Sequence, residues 1–373
     1  MYPIEPVFVI FPALCLLLSL VKRKQGKATF AFIFIVFFLL YILSLNGSDI
    51  VGYSDIYRLV SSPKTFNETH SEIGFKLLML IFARLRISYI AFRICLLTVN
   101  IFVLFYTLYK ISPNFSLSVF FLTTMFVIYT ISTYRQFMVM SFSFLIFYQY
   151  SKKSGPMSFI ALALLALIHI SSLILLAFLI VYDFLNKQKL AEQTSKLSKN
   201  VLIWMAVALV FRYAFILIMR IGAIKSIMSV LTRGYSNEPI AILPFGLLAR
   251  IAFLLGVSIM YRIRRPQDRL TVMLYTFYFV GMVLYIAVPF EGLMGRLMNN
   301  FYILGIALIP MLCRYERVVG VKDGSLLAPG DRTWLRLIVA VLIFIAAVVL
   351  INQLLNQNGY WPYLNLLFGD KFN

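Results

Sequence analysis

Apolar stretches of about 15–22 residues recur along the whole chain, the length an α-helix needs to cross a hydrocarbon core of roughly 30 Å. The chain is 62% hydrophobic, against roughly 45–50% in soluble domains. Alternation of apolar and polar residues at period two is absent, which argues against a transmembrane barrel. The pattern therefore predicts an all-α, polytopic integral membrane protein. We expect residues 1–373 to form a single membrane domain with no soluble domain.

Charge fixes the expected orientation. The chain has 34 Lys and Arg against 14 Asp and Glu, a net charge of +20. The basic residues gather in short loops between apolar runs, as cytoplasmic loops do. These loops contain Lys22, Arg23, Lys24 and Lys27; Lys152 and Lys153; Arg262, Arg264, Arg265 and Arg269; and Arg314, Arg317, Lys322 and Arg332. Topology accounts for the charge, so no nucleic-acid partner is expected. Glu5 precedes the first apolar run and Lys22–Lys24 follow it, the reverse of a signal peptide. We expect that segment to remain as an anchor.

The expected crossings are 7–21, 28–45, 89–109, 117–131, 136–150, 201–219, 240–261, 270–288, 297–312 and 334–351. That is about ten spans, with both termini outside. Residues 46–71 are expected to form an external loop. Residues 72–86 are amphipathic and predict an interfacial or re-entrant helix. Residues 157–184 are apolar but have lysines on both flanks, Lys152 and Lys153 before and Lys187, Lys189, Lys196 and Lys199 after. A single crossing would place one basic flank outside, and two full crossings need about 40 residues. The expectation is a re-entrant pair of short helices broken near His169-Ile170-Ser171. Such backbone is tolerated at membrane depth only where it lines a protein cavity.

Several chemistries find no support. Cys15, Cys95 and Cys313 form no CxxC motif, and His70 and His169 are too few for a His-rich metal site. No Asp-x-Asp occurs, so a metal-dependent nucleotide-sugar site has no visible basis. We expect no metal and no cofactor.

The misplaced cations carry the functional signal. Arg93, Arg212 and Arg250 interrupt expected spans, while Arg135, His169 and Arg296 sit at the ends or breaks of others. A cation in hydrocarbon normally faces a protein interior, a water-filled cavity or an anionic ligand. In the expected topology Asp49, Asp55, Glu72, Arg135, His169, Arg233, Glu291 and Arg296 fall on the external face. Together with the three span arginines they predict an outward-opening polar cavity. Each residue also has a structural account. Arg93 can snorkel, and Arg212 and Arg250 can pair with buried acceptors. His169 can be a hydrogen-bonded core histidine, and Asp49 and Asp55 can be loop acids. Glu72 and Lys76 can form an i,i+4 pair, and Arg233 can punctuate a loop.

Taken in order, the motifs resemble those of EpsG/Wzy-type polysaccharide polymerases. Gly47-x-Asp49 followed by Tyr53, Asp55 and Tyr57, then Ser71-Glu72-Ile73-Gly74-Phe75, resembles their external loop. Tyr134-Arg135-Gln136 is similar to their Arg-Gln element, and His169-Ile170-Ser171 to their His-x-Ser element. Glu291, Gly295-Arg296-Leu297 and Phe301-Tyr302 resemble their late arginine-containing stretch. The resemblance runs from Gly47 to Tyr302.

It implies polymerisation of a bacterial surface glycan such as O-antigen or capsule, at the outer face of the cytoplasmic membrane. The substrates would be an undecaprenyl-diphosphate-linked donor and acceptor, with a flippase and a chain-length regulator as pathway partners. A metal-independent reaction suits the residues, because guanidinium groups can stabilise a departing diphosphate. Arg135, Arg296, Arg250 and Arg212 are the diphosphate candidates. His169, Asp55 and Glu72 are the candidate bases. Tyr53, Tyr57, Tyr235 and Tyr302, if exposed, could stack on sugars, though interfacial tyrosines are equally expected as a belt. Comparison with C-type membrane glycosyltransferases is by analogy. A flippase would use cations for the same headgroup, and an O-antigen ligase would differ in its acceptor. The one-sided polar set disfavours the first, and the early position of the long external loop disfavours the second.

Overall fold

The structure is a computed structural model that describes residues 7–21, 25–43, 50–62, 64–69, 71–126, 133–185, 187–218, 245–288, 291–313 and 329–356. Among these residues every regular element is helical and no strand occurs. Five helices are long and apolar enough to cross a membrane: Tyr89–Ile111, Val201–Ile218, Phe245–Arg264, Arg269–Ala287 and Thr333–Asn352. Shorter apolar helices include Phe8–Leu20, Lys27–Ile42, Phe115–Met125 and Leu297–Cys313. This is a helical membrane protein.

The chain divides into two compact units, Met1–Ala177 with Leu350–Asn373, and Phe178–Val349. In the first unit, α1 (Val7–Val21) and α2 (Lys27–Phe37) precede a short amphipathic helix, α3 (Ile50–Val60). Within residues 46–71, expected as an external loop, the chain forms the helix α3. Its Tyr53, Tyr57 and Val60 recur at helical spacing and are all buried, so three large side chains on one face anchor an otherwise polar segment. The helix α4 (Ile73–Arg84) covers the expected interfacial segment. A tight turn links it to α5 (Tyr89–Ile111): Arg86 adopts φ 58° and the Ile87 amide donates back to the Phe82 carbonyl. Ser88 caps α5 by accepting from the Ala91 amide, and the Tyr57 hydroxyl donates to the Ile87 carbonyl at 2.7 Å. These bonds tie α3, α4 and α5 together.

The helices α6 (Phe115–Met125) and α7 (Tyr134–Lys152) follow, and α7 packs along α5. The apolar segment with two basic flanks then forms α8 (Pro156–Ala166) and α9 (Ser172–Phe184). It is broken at residues 167–171, where the charge pattern expects a break. The last turn tightens, with Leu167 and Ile168 amides donating to Leu164 and Leu165 carbonyls. The Ser172 hydroxyl donates to the Leu162 carbonyl at 3.1 Å across the break.

The second unit contains α10 (Lys187–Lys199), α11 (Val201–Ile218), α12 (Phe245–Arg264), α13 (Arg269–Ala287), α14 (Glu291–Tyr302), α15 (Gly305–Cys313) and most of α16 (Pro329–Asn356). Its centre is α13, which packs against α11, α12, α14 and α15. Close packing shows at Gly281, where an added Cβ would lie 2.3 Å from Phe301 Cβ. Arg296 lies within α14, directly before the apolar stretch Leu297–Cys313, which is itself broken at Ile303-Leu304.

Candidate active site

Three elements of the first unit converge on one carboxylate. Glu72 is the N-cap of α4, with extended backbone (φ −61°, ψ 144°), and its side chain makes no capping bond. That frees both oxygens. Oε2 accepts a hydrogen bond from Arg135 Nη1, an ion pair at the first turn of α7. Oε1 meets His169 Nδ1 at 2.8 Å, in the break between α8 and α9, and accepts weakly from the Ile170 amide at 3.4 Å. The side chains of Arg135, Glu72 and His169 are 23%, 21% and 21% exposed, so the cluster is shielded but reachable.

Electrostatics define the protonation states. Burial of Glu72 opposes its ionisation, but the bond from His169 and the charge of Arg135 outweigh it, and its pKa falls from 4.5 to about 2. An ionised carboxylate can only accept, so at 2.8 Å the Nδ1 atom carries the hydrogen. A neutral imidazole in this tautomer has its lone pair on Nε2, which makes no hydrogen bond among the described residues. Arg135 is itself tethered: Nη1 also donates to Ser71 Oγ at 3.2 Å and Nε to the Tyr53 hydroxyl at 3.3 Å. Its guanidinium lies 5.6 and 5.8 Å from the Tyr53 and Phe75 ring centroids, within cation–π range.

Behind this cluster lies a buried polar layer. Tyr53 stacks on Tyr134 at 4.6 Å. The Tyr134 hydroxyl accepts from Arg93 Nε at 2.8 Å, and Arg93 Nη1 donates to the Ile42 carbonyl at 3.0 Å. Arg93 is fully buried, so it supports the site from within the helix packing. Tyr57 is buried, with its hydroxyl on Ile87, and Asp55 is exposed beside Arg58 at 3.5 Å. Neither touches the cluster. The expected Glu72–Lys76 pair does not form: Lys76 Nζ donates to the Phe66 carbonyl at 3.4 Å. Tyr53, Tyr57 and Tyr302 are buried rather than exposed, which removes them as open sugar platforms.

The second unit brings two other candidates to the C-terminal end of α13. Arg212 is buried on α11 and donates to the Val288 carbonyl at 3.4 Å. Arg250, on α12, lies over the Tyr285 and Tyr302 rings, 3.8 and 5.1 Å from their centroids, and donates to Asn299 Oδ1 at 2.9 Å. Arg296 and Glu291 belong to α14, but their side chains lie outside the described residues, as do Asp49, Arg233 and Tyr235 altogether. Among the described residues no three of His, Cys, Asp and Glu cluster as a metal site would require. Ser71, Gly74 and Tyr134 stood within the sequence motifs around Glu72 and Arg135 but were assigned no role; Asn299 and Tyr285 of the second group were not singled out, and no sequence signal marked them.

The fold and the site define a helical membrane protein with a shielded carboxylate–imidazole–guanidinium cluster, which by itself names no activity. The particular family follows from comparison: a model described as the EpsG family matches residues 27–365, and the chain belongs to that family. EpsG proteins are Wzy-type polysaccharide polymerases, membrane glycosyltransferase-like enzymes. No curated protein and no solved structure gave a match.

Proposed function

We propose that this protein is a glycosyltransferase that polymerises lipid-linked oligosaccharide repeat units into a surface polysaccharide. It would act at the outer leaflet of the bacterial cytoplasmic membrane, through about ten crossings. The observation that carries this reading is Glu72 held between Arg135 and His169 in an EpsG-family chain. His169 is the general base. An acceptor sugar hydroxyl attacks C1 of the sugar at the reducing end of the growing chain, and its proton passes to His169 Nε2. The C1–O bond to the prenyl diphosphate breaks, and the carrier departs as undecaprenyl diphosphate. Glu72 holds the imidazole in the Nδ1–H tautomer and stabilises the imidazolium that forms, as the carboxylate of a hydrolase triad does. Arg135 fixes the second carboxylate oxygen and presents its remaining N–H groups to anionic substrate. Arg296, Arg250 and Arg212 are further candidates for the diphosphate. Holding two lipid-anchored substrates together supplies much of the acceleration.

The test is chain extension by purified protein with lipid-linked repeat units. His169→Ala should lower the rate by roughly 10²–10⁴-fold, the usual worth of a positioned base. Arg135→Ala should also lose long chains. Full chain-length distributions from both folded variants would refute the assignment. In cells, deletion should leave single units outside; units trapped inside would point to a flippase instead.

A further inference from the structure

We propose that the first unit holds a buried water-binding site between α5 and α7, built by Asn100 and Ser141. Register brings the two residues to one level. Arg93 and Tyr134, near the starts of α5 and α7, are hydrogen-bonded at 2.8 Å, and α7 packs along α5. Helices that meet near their first turns and stay in contact along their length run parallel. Asn100 follows Arg93 by seven residues, and Ser141 follows Tyr134 by seven. Seven residues make about two turns and advance about 10 Å along the axis. Each side chain therefore returns to the face of its predecessor to within about 20°. Asn100 and Ser141 stand together two turns beyond the Arg93–Tyr134 pair.

Both residues are fully buried. Asn100 Nδ2, Asn100 Oδ1 and Ser141 Oγ make no hydrogen bond among the described residues. Ser141 differs here from its neighbours. The hydroxyls of Thr98 and Thr107 on α5 and of Ser143 on α7 donate to carbonyls three or four residues earlier in their own helix. That local bond is open to a helical serine, and Ser141 does not take it, so its hydroxyl is left for a partner outside its own backbone. An asparagine inside a membrane helix bundle ordinarily bonds across to a neighbouring helix. The three atoms give an amide donor, a carbonyl acceptor and a hydroxyl that can act as either, with no net charge. An ion would find no counter-charge, and a ligand with donors alone or acceptors alone would satisfy only part of the set. Water both donates and accepts, and it settles in protein interiors where about three polar partners converge. A water joining the amide to the hydroxyl extends the polar layer behind the Glu72 cluster by two turns and ties α7 to α5. This site does not rest on the proposed polymerase activity.

X-ray hydroxyl-radical footprinting of the full chain in lipid nanodiscs tests the site, because radiolysis of an internal water oxidises side chains that bulk solvent cannot reach. The reporters are Leu104, one turn from Asn100, and Phe144, one turn from Ser141, which are 0% and 1% exposed. Leu254 in the second unit, also 0% exposed, supplies the background rate. In the wild type both reporters should be oxidised roughly fivefold or more above that background. Asn100→Leu keeps the volume, removes two of the three polar atoms and leaves the Ser141 hydroxyl its own helix to bond. Both reporters should then fall to the background, with the melting temperature unchanged or raised, since an apolar group of similar shape replaces a buried amide. Should Asn100→Leu fail to fold, Ser141→Ala serves, with an expected fall of roughly twofold or more as the bridge loses one end. Background rates in the wild type would mean that the two side chains bond directly or not at all, and would overturn the proposal. So would wild-type rates that persist in the folded variants.

Discussion

At the scale of single residues, Glu72 shows why spacing alone misassigns a side chain. An i,i+4 pair with Lys76 presumes that both residues lie on the helix, but Glu72 is the N-cap, with ψ at 144°. Its side chain leaves the helix surface and reaches Arg135 and His169 instead. The ion pairing has a pH signature. Glu72 is held near a pKa of about 2, against 4.5 when unperturbed. A depressed carboxylate contributes stability that is fully present above 4.5 and is lost as pH falls toward about 2, because the unfolded chain takes up the proton first. We therefore expect the melting gap between wild type and Glu72→Gln to be nearly level from pH 7 to pH 5 and reduced to roughly half by pH 3. The gap should reflect roughly 1–3 kcal/mol at neutral pH. An equal gap at pH 7 and pH 3, measured in the same detergent, would show that Glu72 is not ionised by these partners.

At the scale of elements, the break at His169 was legible and α3 was not. Two lysine-rich flanks around one apolar segment left few solutions, and a broken helix pair was among them. In 50–60, Gly52, Ser54 and Asp55 read as loop, and an 11-residue helix offers only three apolar contacts to betray it. Nothing local announces the bond that docks the break onto α4, in which the Gly74 amide donates to the Leu167 carbonyl at 2.8 Å. A Cβ at Gly74 would lie 2.7 Å from that same carbonyl oxygen and 2.8 Å from Leu167 Cβ. Both obstacles sit on or next to backbone, so the turn bearing His169 must move. Gly74→Ala is expected to cut chain extension at least tenfold while membrane insertion persists. Gly52→Ala is the control: nothing lies within 4 Å of its Cβ, and removing a helical glycine should stabilise by about 0.4–1 kcal/mol. Equal activity in the two variants would show that the docking bond does not position the site.

At the scale of the whole molecule, hydropathy reports depth but not direction. Position along a span placed Arg93, Arg212 and Arg250 within apolar helices, yet the azimuth of each depends on packing the pattern does not encode. Arg93 turns into the first unit against Tyr134, and Arg250 turns onto Tyr285 and Tyr302 in the second. Sidedness, by contrast, is a matter of loop charge and can be tested directly. If α8 and α9 form a re-entrant pair, the lysines before and after them share the cytoplasmic face. Cys15, Cys95 and Cys313 are free thiols and would first be replaced. Single cysteines at Lys153, Lys196 and Asp55 would then be exposed to an impermeant maleimide on intact cells. Lys153 is exposed, Lys196 is 65% exposed and Asp55 is 58% exposed, so each reagent site is accessible once its face is reached. Only Asp55→Cys should react from outside; Lys153→Cys and Lys196→Cys should react only after permeabilisation. Labelling of one lysine position from each face would make 157–184 a simple crossing.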